Sequence, residues 1–400
     1  MATLVSGNQS SVNALAANQM PDNDKLLYLI YPMQYPLFQK MYFSTGRKSV
    51  PVVNDQGLFS WFEDELYPNY TALKGAGIAG GSATENIEDV LTDAFVQPND
   101  ILLIEKTGQM VKVTTITTHT TISTMDGTGT ITAASDGVIR KIGTLDHEFA
   151  GLRTAVSTKP VQVSNYLTKF NESVGMTGRQ DASKTYTGGT SFQEQLQKKI
   201  EEMKLMYENN FKFSTQSGTV TITGSDGASY LATYGKGLNG LITTNITTYT
   251  TLTETAVDNF LLGIFSTGGS GVKDFYMGGN VSIAFASIIK AKYQINPQPM
   301  TTAYGVKLTK YALSQGELNM IWDPTMNNAF SDQAFAIDPD ASKPVTLRYM
   351  NNDSKGSRKF RIERNVETPG SDGRIDKLLA DIGIQVPAEK IHGILKKAVA

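Results

Sequence analysis

The sequence predicts a mixed α+β protein in which many short strands surround one long amphipathic helix. Three observations carry this. Residues 191–212 place Phe192, Leu196, Ile200, Met203, Tyr207 and Phe211 at spacings of three to four, one apolar stripe on a helix of about five to six turns. Ten of the twenty residues 113–132 are Thr, and β-branched residues at that density favour strands. Charged residues make up 18% of the chain while Gly reaches 36 positions, as expected of a turn-rich β protein with large covered surfaces, against ~25% charged in a typical domain.

Composition bounds the function. The 400 residues, 40% hydrophobic, can fill two or three subdomains at roughly 100–200 residues each. There is no cysteine, which excludes disulfides, thiolate nucleophiles and Cys-based metal sites. The opening MATLVSGNQSSVNALAANQ lacks the basic and apolar regions of a secretory signal, and no apolar run is long enough to span a bilayer. A cytosol-like compartment without membrane contact is therefore expected, and sequons at Asn69 and Asn245 carry no weight. A formal net charge of −2 does not suit a protein that grips nucleic acid electrostatically. Residues 1–100 hold eleven acids and five bases, whereas 343–400 hold twelve bases and seven acids. Either the two ends meet between copies, or they are unrelated solvated faces.

Along the chain, residues 1–23 read as a polar arm that orders only on a partner. The aromatic run 26–42 is interrupted by Pro32 and Pro36, which predicts an extended packing segment and no long helix. Phe59, Trp61 and Phe62 beside Glu63, Asp64 and Glu65 form a docking strip, followed by a turned Gly/Ala/Ser stretch, GAGIAGGSATEN. Residues 96–145 read as a small β-subdomain with turns at Asp126-Gly127 and Asp136-Gly137. The long helix starts at a capping-box pattern, Ser191 to Glu194, and Glu194/Lys198 and Lys198/Glu202 lie at i,i+4 on its polar side. A hairpin follows with its turn at Asp226-Gly227. Helices are predicted over 254–265 and 280–293, then several strands, then a basic strand and a short helical region around 374–397.

Few motifs carry chemistry. Gly235, Gly237 and Gly240 spell GxGxxG, but the residues after them are β-branched and not helical, so a plain turn is favoured over a dinucleotide site. His119, His147 and His392 are scattered, and the HExxH pattern fails at Gly151. The acids 63–65 are adjacent along one stretch and do not converge as oxygen ligands must. The basic run Lys355, Arg358, Lys359, Arg361 and Arg364 is the best candidate for phosphate contact; an outward-facing charged strand, soluble or paired with a neighbour's acids, is the favoured alternative. No catalytic residue, cofactor-binding residue or metal ligand is expected.

The order of these parts resembles the major head proteins of tailed bacteriophages, of the Hong Kong 97 fold class, in the branch with a large extended loop. The motif residues are Asn165, Tyr166, Phe170, Val174, Thr177 and Gly178, leading into a helix with Lys198, Lys199, Glu202, Lys204 and Glu208, and then GLNGLITTN at 237–245. The resemblance covers roughly residues 50–365. It implies an N-terminal arm (1–49), an extended loop (50–162) carrying the β-rich insertion (96–145), and a peripheral domain (163–214 and 331–366) with a spine helix. An axial domain (215–330) and a C-terminal extension (367–400) complete the layout. The implied function is self-assembly into pentamers and hexamers that close an icosahedral or prolate head around double-stranded DNA, faced weakly and non-specifically. Scaffold, portal, decoration or head-fibre proteins are the implied partners, the virion the location and the host cytoplasm the site of assembly. Phe59, Trp61, Phe62, Glu63, Asp64, Glu65, Arg358, Lys359, Arg361 and Arg364 are the expected interface residues. The alternatives are a tail-tube or decoration protein, a nucleotide-dependent enzyme resting on the Gly235–Gly240 string, and a carbohydrate-binding module suggested by the Thr/Gly-rich strands.

Overall fold

The longest strand, Gly373–Gln385 (β22), is buried along its last eight residues. The computed structural model describes residues 35–43, 49–53, 56–66, 68–73, 78–87, 96–117, 119–134, 137–149, 151–183, 191–292, 299–301, 307–312, 315–339, 344–352, 356–367 and 370–398. They fall into two units, one comprising the chain up to Trp61 together with Ser164–Ala400, the other Phe62–Val163.

In the first unit β22 pairs antiparallel with Thr168–Thr177 (β10) along ten residues and with Thr346–Asn352 (β19). Ser49–Val52 (β1) joins β19 in parallel, and the short strands Gly356–Ser357 (β20) and Arg361–Glu363 (β21) extend β19 and β22. The helix expected around 374–397 is thus a strand. Ile375, Leu378, Leu379 and Ile382 match helical spacing, but a strand buried on both faces loses its alternation and cannot be told from a helix by period.

A second sheet of this unit has seven strands. Their order is Ile246–Tyr249 (β13), Gly393–Lys397 (β23), Gln333–Ile337 (β18), Val272–Met277 (β14), Glu317–Trp322 (β17), Lys307–Ala312 (β16) and Pro299–Thr301 (β15). β13/β23 and β14/β17 are parallel, the other neighbours antiparallel. The two expected helices form beside it, Glu254–Ser266 (α5) and Gly279–Lys292 (α6). Thr253 caps α5 by accepting from the Ala256 amide, and Val257, Phe260, Leu261 and Ile264 pack with Phe275, Val281, Phe285 and Leu318. Residues 367–400 are therefore no appended extension: they supply β22 to one sheet and β23 to the other.

Ser191–Phe213 (α3) lies against the first sheet. Phe192, Met203, Tyr207 and Phe211 of its stripe are buried, with Leu196 and Ile200 half-buried beside them. The helix begins at Ser191 itself, so the capping position falls outside the described residues. Glu202 is reached by Lys199 at 2.7 Å, which also contacts Glu172 at 3.3 Å, in place of the expected Lys198 pairing. Pro36–Phe43 (α1) is a short helix where an extended segment was expected. Pro36 occupies its first position, where a missing N–H is harmless and a fixed φ helps, and Leu37, Phe38 and Met41 enter the same core as α3.

Two four-residue helices, Gly178–Asp181 (α2) and Leu238–Leu241 (α4), flank the long one. Between α3 and α4 lies the predicted hairpin, Gly218–Thr223 (β11) and Ser229–Tyr234 (β12), which among the described residues pair only with each other. The GxGxxG glycines have a packing role. A Cβ at Gly235 would strike the Tyr166 carbonyl, one at Gly237 the carbonyls of Asn210 and Phe211, and one at Gly240 the Thr215 carbonyl oxygen at 2.7 Å.

Leu58–Glu63 (β2) and Val161–Tyr166 (β9) form a two-stranded pair along which the chain leaves this unit and returns. The second unit is an antiparallel sheet in the order Tyr70–Ala72 (β3), Val138–Thr144 (β8), Asp100–Ile104 (β5), Gln109–Ile116 (β6), Thr120–Thr124 (β7) and Thr84–Ile87 (β4). Ile87, Leu102, Ile104, Val111, Val113, Ile122 and Ile139 fill its own core. The subdomain starts at 70 and not at 96. The stretch expected to be only a turn contributes Ile78, bridged to Ile87 and Ala134, and strand β4.

Candidate interaction surfaces

The aromatic strip alternates along β2, and the alternation splits it. Phe59 and Trp61 point inward, buried and stacked with ring centroids 6.2 Å apart, with the Arg348 guanidinium 5.8 Å from the Phe59 centroid. They are core residues and offer no docking surface, which corrects that part of the expected interface. Phe62, Asp64, Glu65 and Leu66 are exposed and Glu63 is half-buried. Asp64 accepts from the Thr158 hydroxyl at 3.1 Å. Large apolar side chains also lie open on the returning limb, at Phe149, Leu152, Val156 and Val161.

The basic run is largely occupied within the subunit. Arg358 pairs with Asp381 at 2.7 Å, and burial holds the Asp381 carboxyl above its usual range despite that arginine. Lys359 donates to the Tyr42 carbonyl at 2.9 Å and sits 4.0 Å from the centre of the Tyr42 ring, with burial lowering its pKa. Arg361 meets Glu363 at 3.4 Å, and Arg364 is exposed. Lys355 lies outside the described residues. A surface for binding phosphate does not form from groups already paired.

Sequence reasoning missed the buried polar groups that fix these elements. Glu208 and Lys212 of α3 pair at 2.6 Å with neither side chain exposed, and Lys212 also pairs with Asp323 and donates to Thr325 Oγ1 at 2.8 Å. Glu208 accepts the Leu37 and Phe38 amides at 3.1 and 2.7 Å, so α1 is pinned by its N-terminus to a carboxylate of α3. Burial raises the Glu208 pKa, opposed by Lys212 and reinforced by Asp323. Lys40 of α1 pairs with Asp274 of β14. Lys273 and Ser270 both reach Asp338, at 2.6 and 2.7 Å, beside the buried His392, whose Nδ1 accepts the Asp338 amide at 3.1 Å. The only signal in the sequence was the spacing of Glu208 and Lys212 on the edge of the apolar stripe. Asn165 of the head-protein motif is a second such group. Its Nδ2 donates to the Lys236 and Ile384 carbonyls, and its Oδ1 accepts from the Tyr166 and Lys236 amides, all within 3.0 Å. Phe170 of the same motif meets Tyr207 edge-on at 4.7 Å.

His119 and His147 are exposed. Among the described residues no three metal-ligating side chains cluster, and no helix is long and apolar enough to cross a membrane. What the subunit offers is surface: apolar limbs, a free hairpin and an exposed acidic strip.

A family model described as SU10 major capsid protein matches residues 5–399. No curated protein matches the sequence. Similar solved structures include the capsid of a native GTA particle, 10% identical, with a TM-score of 0.48 over 98% of this chain and 99% of that one. Another is from Microbacterium phage Oxtober96, 8% identical, with a TM-score of 0.48 over 97% and 99%. A third is the holo-SrpI encapsulin complex from Synechococcus elongatus PCC 7942, 12% identical, with a TM-score of 0.44 over 60% and 77%.

Proposed function

The chain belongs to the SU10 major capsid protein family, and from that premise we propose how it builds its shell. It is a structural component of a phage capsid that forms the head by self-association, and it is not an enzyme. In the proposed arrangement, five or six copies form head-to-tail rings, and the rings tile a closed icosahedral or prolate head around double-stranded DNA. The layout is that of the Hong Kong 97 class, with α3 as spine helix, the seven-stranded sheet as axial domain and Phe62–Val163 as the loop-borne unit. The match along residues 5–399 carries this proposal.

Assembly takes place in the host cytoplasm, with a scaffold and a portal as the expected helpers. The exposed limb residues Phe62, Leu66, Phe149 and Leu152 are proposed to lie on neighbouring copies, with the acidic strip around Asp64 facing the exposed Arg364 that follows β21. Complementary charge of this kind steers encounter and fixes register more than it adds affinity. The near-neutral chain suits a container that encloses DNA without gripping it. Native mass spectrometry of the subunit, expressed with its neighbouring genes, tests the ring arrangement. Pentameric and hexameric species support it; dimers or open-ended stacks as the only oligomers overturn it.

A further inference from the structure

Among the described residues the β11–β12 hairpin pairs with no other strand, and one of its faces is left open. Its register places Gly218 with Tyr234, Val220 with Ala232 and Ile222 with Tyr230 on one face. Thr219 with Thr233, Thr221 with Leu231 and Thr223 with Ser229 occupy the other, since directly opposed residues share a face. The first face is apolar and aromatic; the second is mostly hydroxyl. The hydroxyl face touches the hairpin's own subunit at its base, where Thr233 Oγ1 donates to the Leu167 carbonyl at 2.6 Å. On the apolar face Val220 is 50% exposed, Ile222 55% and Tyr230 53%.

The face is held in shape before anything covers it. Asp226 accepts the Ala228 amide at 3.0 Å and the Tyr230 hydroxyl at 2.5 Å, while Gly227 takes the left-handed φ of +81° that the turn requires. The Tyr234 ring lies over Gly218, where a Cβ would fall 3.0 Å from its hydroxyl. Ordered aromatic groups lose little freedom on docking.

Nothing protects this ribbon from association. From Gly218 to Tyr234 there is no Lys, Arg, Glu or Pro, and the single charge, Asp226, is bonded within the hairpin. An isolated two-stranded ribbon is marginal in water, and an apolar one without charged edges is a template for another chain. The same lack of cations excludes a phosphate backbone as the occupant. The molecule that surrounds each subunit of a major capsid shell is another copy of it, and within a head-to-tail ring one patch packs against a different one.

We infer that the Val220, Ile222 and Tyr230 face of the hairpin docks on an adjacent copy of this chain in the assembled shell. The inference rests on the shell-forming role. Because the chain has no cysteine, Ile222→Cys introduces a unique thiol whose maleimide labelling reports cover. The expected result is ready labelling in unassembled subunits and labelling at least tenfold slower in shells. Equal rates in the two states, or slow labelling already in the subunit, would overturn it. An Ile222→Asp variant that keeps the subunit's circular dichroism and melting temperature is expected to lower shell yield at least tenfold; undiminished shells would also overturn it. Wild-type protein that forms no shells under any condition would remove the shell-forming role itself, a distinct outcome from shells with an open hairpin.

Discussion

Lys212 of the long helix and Asp323 of the turn after β17 form an ion pair in which neither side chain is exposed. The same ammonium serves Glu208, so one cation holds two buried carboxylates from different elements. Such a group adds little over a well-packed apolar core, but halving it strands charge without a partner. Lys212→Met is expected to lower the unfolding free energy of the unassembled subunit by about 3–5 kcal/mol. Denaturant titration measures it, and a change within about 0.5 kcal/mol, typical of a neutral surface site, would contradict the role.

Glu208 is also the acceptor for the first free amides of α1, those of Leu37 and Phe38. Glu208→Ala leaves two buried N–H groups without a partner, which costs about 1–3 kcal/mol each. Hydrogen exchange at these two amides is expected to quicken well before that of β22. Unchanged protection would mean that apolar packing alone holds the helix.

His392, buried beside Asp338 and Lys273, is expected to make the seven-stranded sheet acid-sensitive. Burial and the nearby Lys273 push its pKa down to about 4 from 6.5, against the pull of Asp338. The folded state therefore favours the neutral ring, and protonating Nδ1 removes the acceptor for the Asp338 amide. Stability from this group is intact above pH 6.5 and is lost as pH falls from 6.5 towards 4, by about 3 kcal/mol in all. The raised Glu208 carboxyl works in the opposite sense, so the test compares wild type with His392→Gln across that window. The variant is expected to show the shallower fall; parallel curves would contradict the assignment.

The second unit has its own core, so its damage should stay local. Ile104→Ala removes a fully buried side chain of β5 and is expected to cost about 2–5 kcal/mol. Hydrogen exchange should rise across β5, β6 and β8 while β10 and β22 remain protected. Equal loss in both units would contradict their separate cores.

Sequence patterning revealed the elements whose period is unambiguous. The α3 stripe from Phe192 to Phe211, the capped α5 and the hairpin at Asp226-Gly227 all match their local signals. Pro36 was misread because a proline that breaks a helix interior starts a helix equally well. β22 was misread because burial on both faces erased its alternation. The surface was harder to read than the fold. Arg358, Lys359 and Arg361 look like a phosphate-binding run in one dimension, but their partners Asp381, Tyr42 and Glu363 are set by sheet register and by contacts across the core. Phe59 and Trp61 resembled Phe62 in sequence, and only the inward turn of β2 separates core from surface.

As a major capsid protein, this chain forms the head shell from copies of itself. Sedimentation and negative-stain microscopy of the protein, purified alone and then with its neighbouring gene products, test it most directly. The account predicts rings or closed shells of uniform diameter in at least one of these preparations. A monomer in both, or tubes of fixed narrow width, would contradict it.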